Sequence, residues 1–249
     1  MSLADSQVSR FERNMIEVLQ RLQAEIIASA NKGMLFSGDN ALRLASAPDM
    51  FNELIGALDR SGYSNVVNAF TDEDIRLVKD VKAARATAGL PTAFTQQSAE
   101  TLSAFKTVEF EKFQSIGNGF IESMRQELIA YISTGTNERD FINKINAMLN
   151  DNLKRYATTY ATTSRQQVIQ QIQNAAAANY DGELYWEYVG PEDDRMRDAC
   201  AEGIGQRYFT DAERIEFEER TAGERAWNCR HVFVQITEET YKENTGGSK

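Results

Sequence analysis

The sequence has few of the residues that hold small or secreted folds together. Its 249 residues include only two cysteines, three prolines and one histidine. Two cysteines cannot build the disulfide scaffold of a small secreted domain. No stretch approaches the ~20 consecutive apolar residues of a membrane span, and the N-terminal segment MSLADSQVSRFERN lacks the apolar core of a secretory signal. We therefore expect a soluble protein that is made in the cytoplasm.

The composition is that of an ordinary globular protein, but its charge is distributed unevenly. Apolar residues make up 42% and charged residues 26%, which suits a chain with a sizeable core. The net charge is −10, and residues 183–249 hold 16 acids and 9 bases, whereas residues 1–182 hold 21 acids and 18 bases. Nucleic-acid binding needs clustered Lys and Arg, so this balance argues against a general nucleic-acid binder.

The charge shift coincides with a change of sequence pattern and predicts two domains, residues 1–182 and 183–249. Apolar residues recur at three-to-four spacing through the first domain, which is typical of helices. The predicted helices span residues 8–31, 48–60, 71–89, 98–133, 137–149 and 153–178, with a bend in the fourth at 117–119. The predicted fold class is mainly α, an elongated multi-helix N-terminal region followed by a small α+β C-terminal module.

Residues 183–249 show strand signals on either side of short helices. The segments 184–189 and 229–236 are rich in aromatic and β-branched residues, and we expect them to pair as strands. A short helix should begin at Asp193 or Asp194 and reach Cys200. Thr210 and Glu213 form a capping box for an acidic helix over residues 211–220, and residues 245–249 resemble a flexible tail.

Cys200, Cys229 and His231 are the residues with metal-ligating chemistry. Thiolate and imidazole are the ligands that zinc prefers, and two residues spaced i, i+2 on a strand share one face, so Cys200 folded over them would complete a three-ligand cluster. No C-x-x-C or H-x-x-x-H pair is present, and a fourth ligand would come from an acid such as Asp194 or Asp198. Metal binding, a disulfide and reduced packed cysteines all stay open. We favour the last and expect no cofactor.

The remaining notable residues favour structure over chemistry. Opposite charges meet in one turn, at Asp193, Asp194, Arg195 and Arg197. We interpret it as an ion-paired turn rather than as a site for an anion or a partner. Trp186 and Trp227 suit the core of a small module better than an interface.

No enzyme pattern is complete. Arg155, Thr162-Thr163-Ser164 and Glu216-x-Glu218 follow the order of the ADP-ribosyltransferase pattern, but that pattern needs its serine run on a strand and this run lies within helical periodicity. No nucleophile elbow, P-loop or G-x-G-x-x-G is present. We therefore predict no catalytic residues and a protein that is not an enzyme.

The order of features in the last quarter resembles the C-terminal module of phage Mu F-type minor head proteins, also called head morphogenesis proteins. The resemblance covers roughly residues 160–236, behind a helical N-terminal part. It rests on the following residues: Trp186, Asp194, Arg195, Arg197, Cys200, Gly205, Asn228, Cys229 and Arg230. Two positions depart from the family pattern, since His231 replaces the second cysteine of N-C-R-C and Trp227 stands where a proline is common.

The resemblance implies a structural virion protein that acts in head assembly near the portal vertex and accompanies the DNA at ejection. It implies as partners the portal protein and other head or head-tail junction proteins, several copies per virion, no membrane, and DNA contact without sequence specificity. It implies no catalytic residues. The alternatives are a non-phage protein-binding module on a helical scaffold, and a zinc-dependent or ADP-ribosyltransferase-like enzyme.

Overall fold

The structure, a computed structural model, describes residues 3–93, 96–135, 137–178, 180–225 and 229–246. Helices dominate the chain up to residue 177. They are α1 (Leu3–Lys32), α2 (Asn40–Arg60), α3 (Tyr63–Asp72), α4 (Asp74–Thr87), α5 (Gln96–Thr134), α6 (Glu138–Met148), a π-helical segment (Leu149–Lys154) and α7 (Arg155–Ala177). Within the described residues, no helix combines the length and the apolarity that crossing a membrane requires.

The remaining chain forms a small three-stranded antiparallel sheet with short helices. Its elements are β1 (Tyr185–Val189), α8 (Asp198–Gln206), β2 (Tyr208–Thr210), α9 (Asp211–Arg225), β3 (Val232–Ile236) and α10 (Glu238–Thr245). The strand order is β2-β1-β3, and the register pairs Trp186 with Phe209 and Tyr188 with Phe233. The predicted fold class, mainly α with a small α+β C-terminal module, is confirmed, as is the pairing of the two predicted strands.

The chain divides into two compact units. The helical unit comprises residues 6–71 and 108–158, and the mixed unit comprises residues 1–5, 72–107 and 159–249. Helices α5 and α7 each contribute residues to both units. The mixed unit contains α4 and all three strands. The division at residue 182 that composition predicts stays a prediction.

Aromatic side chains fill the core of the helical unit. The rings of Phe11, Phe70 and Phe113 contact one another with centroids 4.7, 5.2 and 5.7 Å apart. The buried Tyr63 hydroxyl donates to the Phe113 carbonyl at 2.7 Å. Helix α5 continues without a break through the predicted bend, where a Cβ on Gly117 would lie 2.9 Å from the Tyr63 ring. Glycine is therefore needed here for close packing between helices.

The core of the mixed unit is built on one face of β1. Trp186 and Tyr188 point to the same side of the strand because they are two residues apart. They pack against Phe209, Phe217 and Phe233, and all five side chains are at most 2% exposed. Burial of five aromatic side chains gives this small sheet the apolar area that its short strands alone would lack.

A buried arginine connects three elements of the mixed unit. The Arg85 side chain on α4 is 2% exposed and donates to the Pro91 carbonyl at 2.8 Å, to Gln173 Oε1 on α7 at 3.0 Å and to Gln235 Oε1 on β3 at 2.7 Å. Desolvation lowers the pKa of Arg85 from its ordinary value. These bonds fix α4 and α7 to the edge strand β3.

Two helix starts differ from the sequence prediction. Helix α2 begins at Asn40, not at Pro48, because the Asp39 side chain caps it by accepting from a backbone N–H at 2.8 Å, and Pro48 lies inside the helix. The helix predicted over residues 71–89 corresponds to α4, which begins at Asp74, and the preceding helix α3 was not predicted. Thr71 belongs to α3, and Glu73 rather than Thr71 is the N-cap of α4.

Candidate functional site

Trp186 lies in the core of the mixed unit and is 1% exposed. Its indole N–H donates to Asp211 Oδ1 at 2.9 Å, and the Arg214 guanidinium lies 4.5 Å from the ring centroid. A buried tryptophan normally needs a partner for its N–H, and Asp211 supplies it. Trp186 is therefore a core residue, as expected, whereas Trp227 lies outside the described residues.

The turn before α8 is held by an ion pair between Asp193 and Arg230. Arg230 donates two hydrogen bonds to the two Asp193 carboxylate oxygens, at 2.6 and 2.5 Å, and the Arg195 backbone N–H donates to Asp193 Oδ1 at 3.1 Å. The hydrogen bonds from Arg230 lower the pKa of Asp193 from its ordinary value to about 2. The helix predicted to begin at Asp193 or Asp194 begins at Asp198, because the Asp193 carboxylate accepts from Arg230 and does not cap a helix.

The other charged residues singled out in the sequence lie on the surface around this turn. Asp194, Arg195 and Arg197 are exposed, and Arg197 is the N-cap position of α8 without a capping hydrogen bond from its side chain. Asn228 lies outside the described residues. The structure thus places Asp194, Arg195 and Arg197 at a surface turn and joins Arg230 to that turn through Asp193.

Cys200, Cys229 and His231 lie close together, an arrangement that the sequence left open as one of three possibilities. Cys200 is buried in the first turn of α8, and Cys229 and His231 lie just before β3 rather than on it, because that strand begins at Val232. The two Sγ atoms are 3.8 Å apart and unbridged, and the ligand atoms of all three residues lie within 4.8 Å of one another. We call these three residues the thiol–imidazole cluster.

The surroundings of His231 fix its ring. The side chain is 4% exposed and stacks on Tyr188, with ring centroids 5.4 Å apart and planes inclined by 14°. A Cβ on Gly190 would lie 2.2 Å from His231 Cδ2, so only glycine allows this approach. The Tyr188 hydroxyl donates to Cys200 Sγ at 3.7 Å and the Cys229 thiol donates to the His231 carbonyl at 3.7 Å.

A cavity of about 230 Å³ opens beside the thiol–imidazole cluster. Its lining includes Thr163, Gln166, Gln170, Glu218, Cys229 and His231. Asp194 and Asp198, the expected sources of a fourth ligand, are exposed, and within the described residues neither is grouped with the cluster. Two thiols and an imidazole form a donor set that suits a soft or borderline cation.

Residues 122–234 match the sequence profile of the family described as phage Mu protein F like protein. The chain carries a phage Mu F-like domain. No curated protein and no solved structure matches the chain at a significant level.

The Mu F-like domain extends further toward the N-terminus than the sequence resemblance, which began near residue 160. It takes in the last third of α5, then α6, the π-helical segment and α7, and it ends within β3. The thiol–imidazole cluster and the Asp193–Arg230 pair both lie inside it. The family suggests a protein of bacteriophage head morphogenesis and a component of the virion.

The ADP-ribosyltransferase pattern was rejected because its serine run was expected to lie in a helix, and the structure confirms that placement. Thr162, Thr163 and Ser164 lie within α7, not on a strand. Glu218 on α9 accepts from Arg214 at 2.6 Å. The Mu F-like family is structural, which fits a protein that is not an enzyme.

Three contacts of this region were not predicted from the sequence: the pairing of Asp193 with Arg230, the stacking of Tyr188 on His231, and the close approach of His231 to Gly190. Asp193 was expected in an ion-paired turn, but its partner Arg230 lies 37 residues further along the chain. Tyr188 and Gly190 carry no local signal, because their roles depend on the pairing of β1 with β3.

Proposed function

We propose that this chain is a minor head protein of a bacteriophage that acts at or near the portal vertex during head assembly. The observation that carries the proposal is the Mu F-like domain over residues 122–234. Its partners are then the portal protein and other head or head-tail junction proteins. As a virion component it would be present in several copies and made in the host cytoplasm.

An apolar stripe on helix α2 supports a protein partner. Leu44 and Ile55 are 53% and 54% exposed, although both are large apolar side chains. The half-buried Phe51 shares their helix face, because positions i, i+7 and i+11 align on an α-helix. Exposed apolar side chains on one face are typical of surfaces that another protein covers. The helical unit thus supplies a surface for a head protein.

Helix α7 is a weaker candidate for such a surface. Its small and apolar residues are already buried within the chain, since each of the following is at most 1% exposed: Ala157, Ala161, Val168, Ile172 and Ala176. The partner surface is therefore better sought on α2.

The charge distribution supports contact with proteins rather than with the genome as the main interaction. A net charge of −10 repels DNA phosphates, and seven of these charges belong to residues 183–249. Residues 1–182 carry a net charge of only −3. Contact with DNA during its ejection would then involve these residues and would not be sequence-specific.

The proposal is tested by deleting the gene from the phage that carries it. Without the chain, we expect infected cells to yield few DNA-filled heads in electron micrographs and a loss of infectious particles. A plasmid copy of the wild-type gene should restore both. Normal heads and normal infectivity in the deletion would overturn the proposal.

A further inference from the structure

We propose that Cys200, Cys229 and His231 bind a single zinc ion within the Mu F-like domain. Sulfur and imidazole nitrogen are the donors that zinc prefers, whereas calcium and magnesium take oxygen ligands. The three ligand atoms already lie within 4.8 Å of one another. The site therefore needs only small side-chain adjustments to close around an ion.

The distance between the sulfur atoms matches a shared metal ion. Two thiolates bound to one tetrahedral zinc ion at roughly 2.3 Å each lie about 3.8 Å apart. The Sγ atoms of Cys200 and Cys229 are 3.8 Å apart. A disulfide would require about 2.05 Å between them, so the observed geometry favours the metal over the covalent link.

The buried His231 ring is an independent observation that points to a bound ligand. Its side chain is 4% exposed, and neither Nδ1 nor Nε2 has a hydrogen-bond partner in the part of the chain that the structure describes. Buried polar atoms are seldom left without a partner, and a neutral imidazole offers one lone pair to a metal ion. Zinc would use that lone pair. Tyr188 and Gly190 already hold the ring in one orientation.

The charge balance suits a buried position. Two thiolates cancel the charge of a divalent zinc ion, and the imidazole adds none, so the complete site is neutral. A neutral complex avoids the desolvation cost that an unpaired buried ion would bring. The cavity of about 230 Å³ beside Cys229 and His231 gives the ion a path of entry and leaves room for a water molecule as the fourth ligand.

The zinc ion would act as a structural clamp. Cys200 belongs to α8, whereas Cys229 and His231 belong to the segment that leads into β3. One ion would tie these two parts of the fold together across β1. Because metal binding by a folded site adds to folding free energy, the zinc-loaded chain should resist denaturation better than the chain treated with a chelator.

The test is a metal analysis of the full-length chain purified under reducing conditions and equilibrated with Zn²⁺. We expect one zinc ion per chain, and intense charge-transfer bands from thiolate to metal when Co²⁺ replaces it. Cys200→Ser, Cys229→Ser and His231→Asn should each lower zinc affinity by more than about 100-fold, since even outer-shell partners contribute 10–100-fold. Asp198→Asn is the control, because Asp198 is an exposed carboxylate at the start of α8 that does not belong to the cluster, and this variant should keep the metal.

Two results would overturn the proposal. The first is wild-type chain that holds no stoichiometric zinc and gives no charge-transfer band with Co²⁺. The second is a stable disulfide between Cys200 and Cys229. In chain purified without reductant and then incubated with reductant and zinc, it would appear as a mass lower by two hydrogens and as the absence of titratable thiols. Both measurements use the wild-type chain, so they stand even if a variant fails to fold.

Discussion

At the residue scale, the Mu F-like domain depends on a few side chains that meet from distant parts of the sequence. Arg230 lies 37 residues after Asp193 and forms a bidentate ion pair with its carboxylate. The thiol–imidazole cluster likewise joins α8 to the segment before β3. Both features join the surface turn and α8 to the segment that leads into β3.

The Asp193–Arg230 pair predicts a measurable pH dependence. Arg230 lowers the pKa of Asp193 to about 2, so the stabilisation by this pair is complete above pH ~4, the ordinary carboxyl range, and is lost as the pH falls through about 2. We expect the Asp193 carboxyl carbon to titrate near pH 2 by NMR.

Asp193→Asn provides the matched comparison, because it keeps the shape of the side chain and removes the titrating group. Its stability should change less between pH 4 and pH 2 than that of the wild-type chain. A midpoint for Asp193 near pH 4 would contradict the assigned ion pair.

At the element scale, the mixed unit is held together by buried polar contacts between helices α4 and α7. Arg165 on α7 pairs with Asp74, the first residue of α4, and their side chains are only 0% and 7% exposed. Arg85 adds its bonds to α7 and β3. These contacts join α4 to the part of α7 that belongs to the mixed unit.

The buried Arg165–Asp74 pair predicts a large effect of removing one partner. Arg165→Met should lower the free energy of unfolding by about 3–5 kcal/mol, because it leaves the Asp74 carboxylate buried without its cation. The double variant Arg165→Met, Asp74→Leu should recover much of that loss. Urea denaturation followed by circular dichroism measures both.

Lys242→Met is the control for this experiment. Lys242 pairs with Glu238 on α10, but their side chains are 57% and 54% exposed, so its loss should change stability by no more than about 1 kcal/mol. The account of the buried pair would be wrong if Arg165→Met cost no more than this surface change.

Comparing the predicted elements with the observed ones shows which parts of the fold can be predicted from local sequence. The Thr210–Glu213 capping box of α9 was correctly identified, because a capping box depends on two residues three positions apart. Strand β2 was missed, since its three residues are held by pairing with β1. Pro48 misled the prediction of α2 because proline is typical of a first turn, yet here it lies in mid-helix.

The sequence singled out the three residues of the candidate site, but it could not predict the distances between them. Cys200, Cys229 and His231 stood out by their chemistry alone. Cys229 and His231 were expected on a strand, and they lie just before β3. Their distances follow from the order β2-β1-β3, which no local pattern specifies. The same holds for Tyr188 and Gly190, whose contacts with His231 arise from the β1–β3 pairing.

At the scale of the whole molecule, the chain combines a helical unit that bears an apolar stripe with a mixed unit that carries most of the Mu F-like features. The net charge of −10 resides mainly in residues 183–249. Because a net negative charge repels DNA phosphates, the proposed function assigns contacts with head proteins to the nearly neutral helical unit.

The stripe on α2 predicts a selective loss of binding to the portal protein. The double variant Leu44→Glu, Ile55→Glu should lower recovery of the chain with tagged portal protein by about tenfold or more, because charges would face an apolar partner surface. Ile75→Glu, at an apolar side chain 64% exposed on α4, is the control and should bind normally. Equal recovery of both variants would exclude the stripe as the portal contact.

The central claim is that the chain is a structural part of the phage head. Quantitative mass spectrometry of gradient-purified heads tests it most directly, with the portal protein as the internal standard. We predict that the chain is present in heads at a low copy number that stays in a fixed ratio to the portal protein from one preparation to the next. Its absence from heads that contain the portal protein would contradict the account.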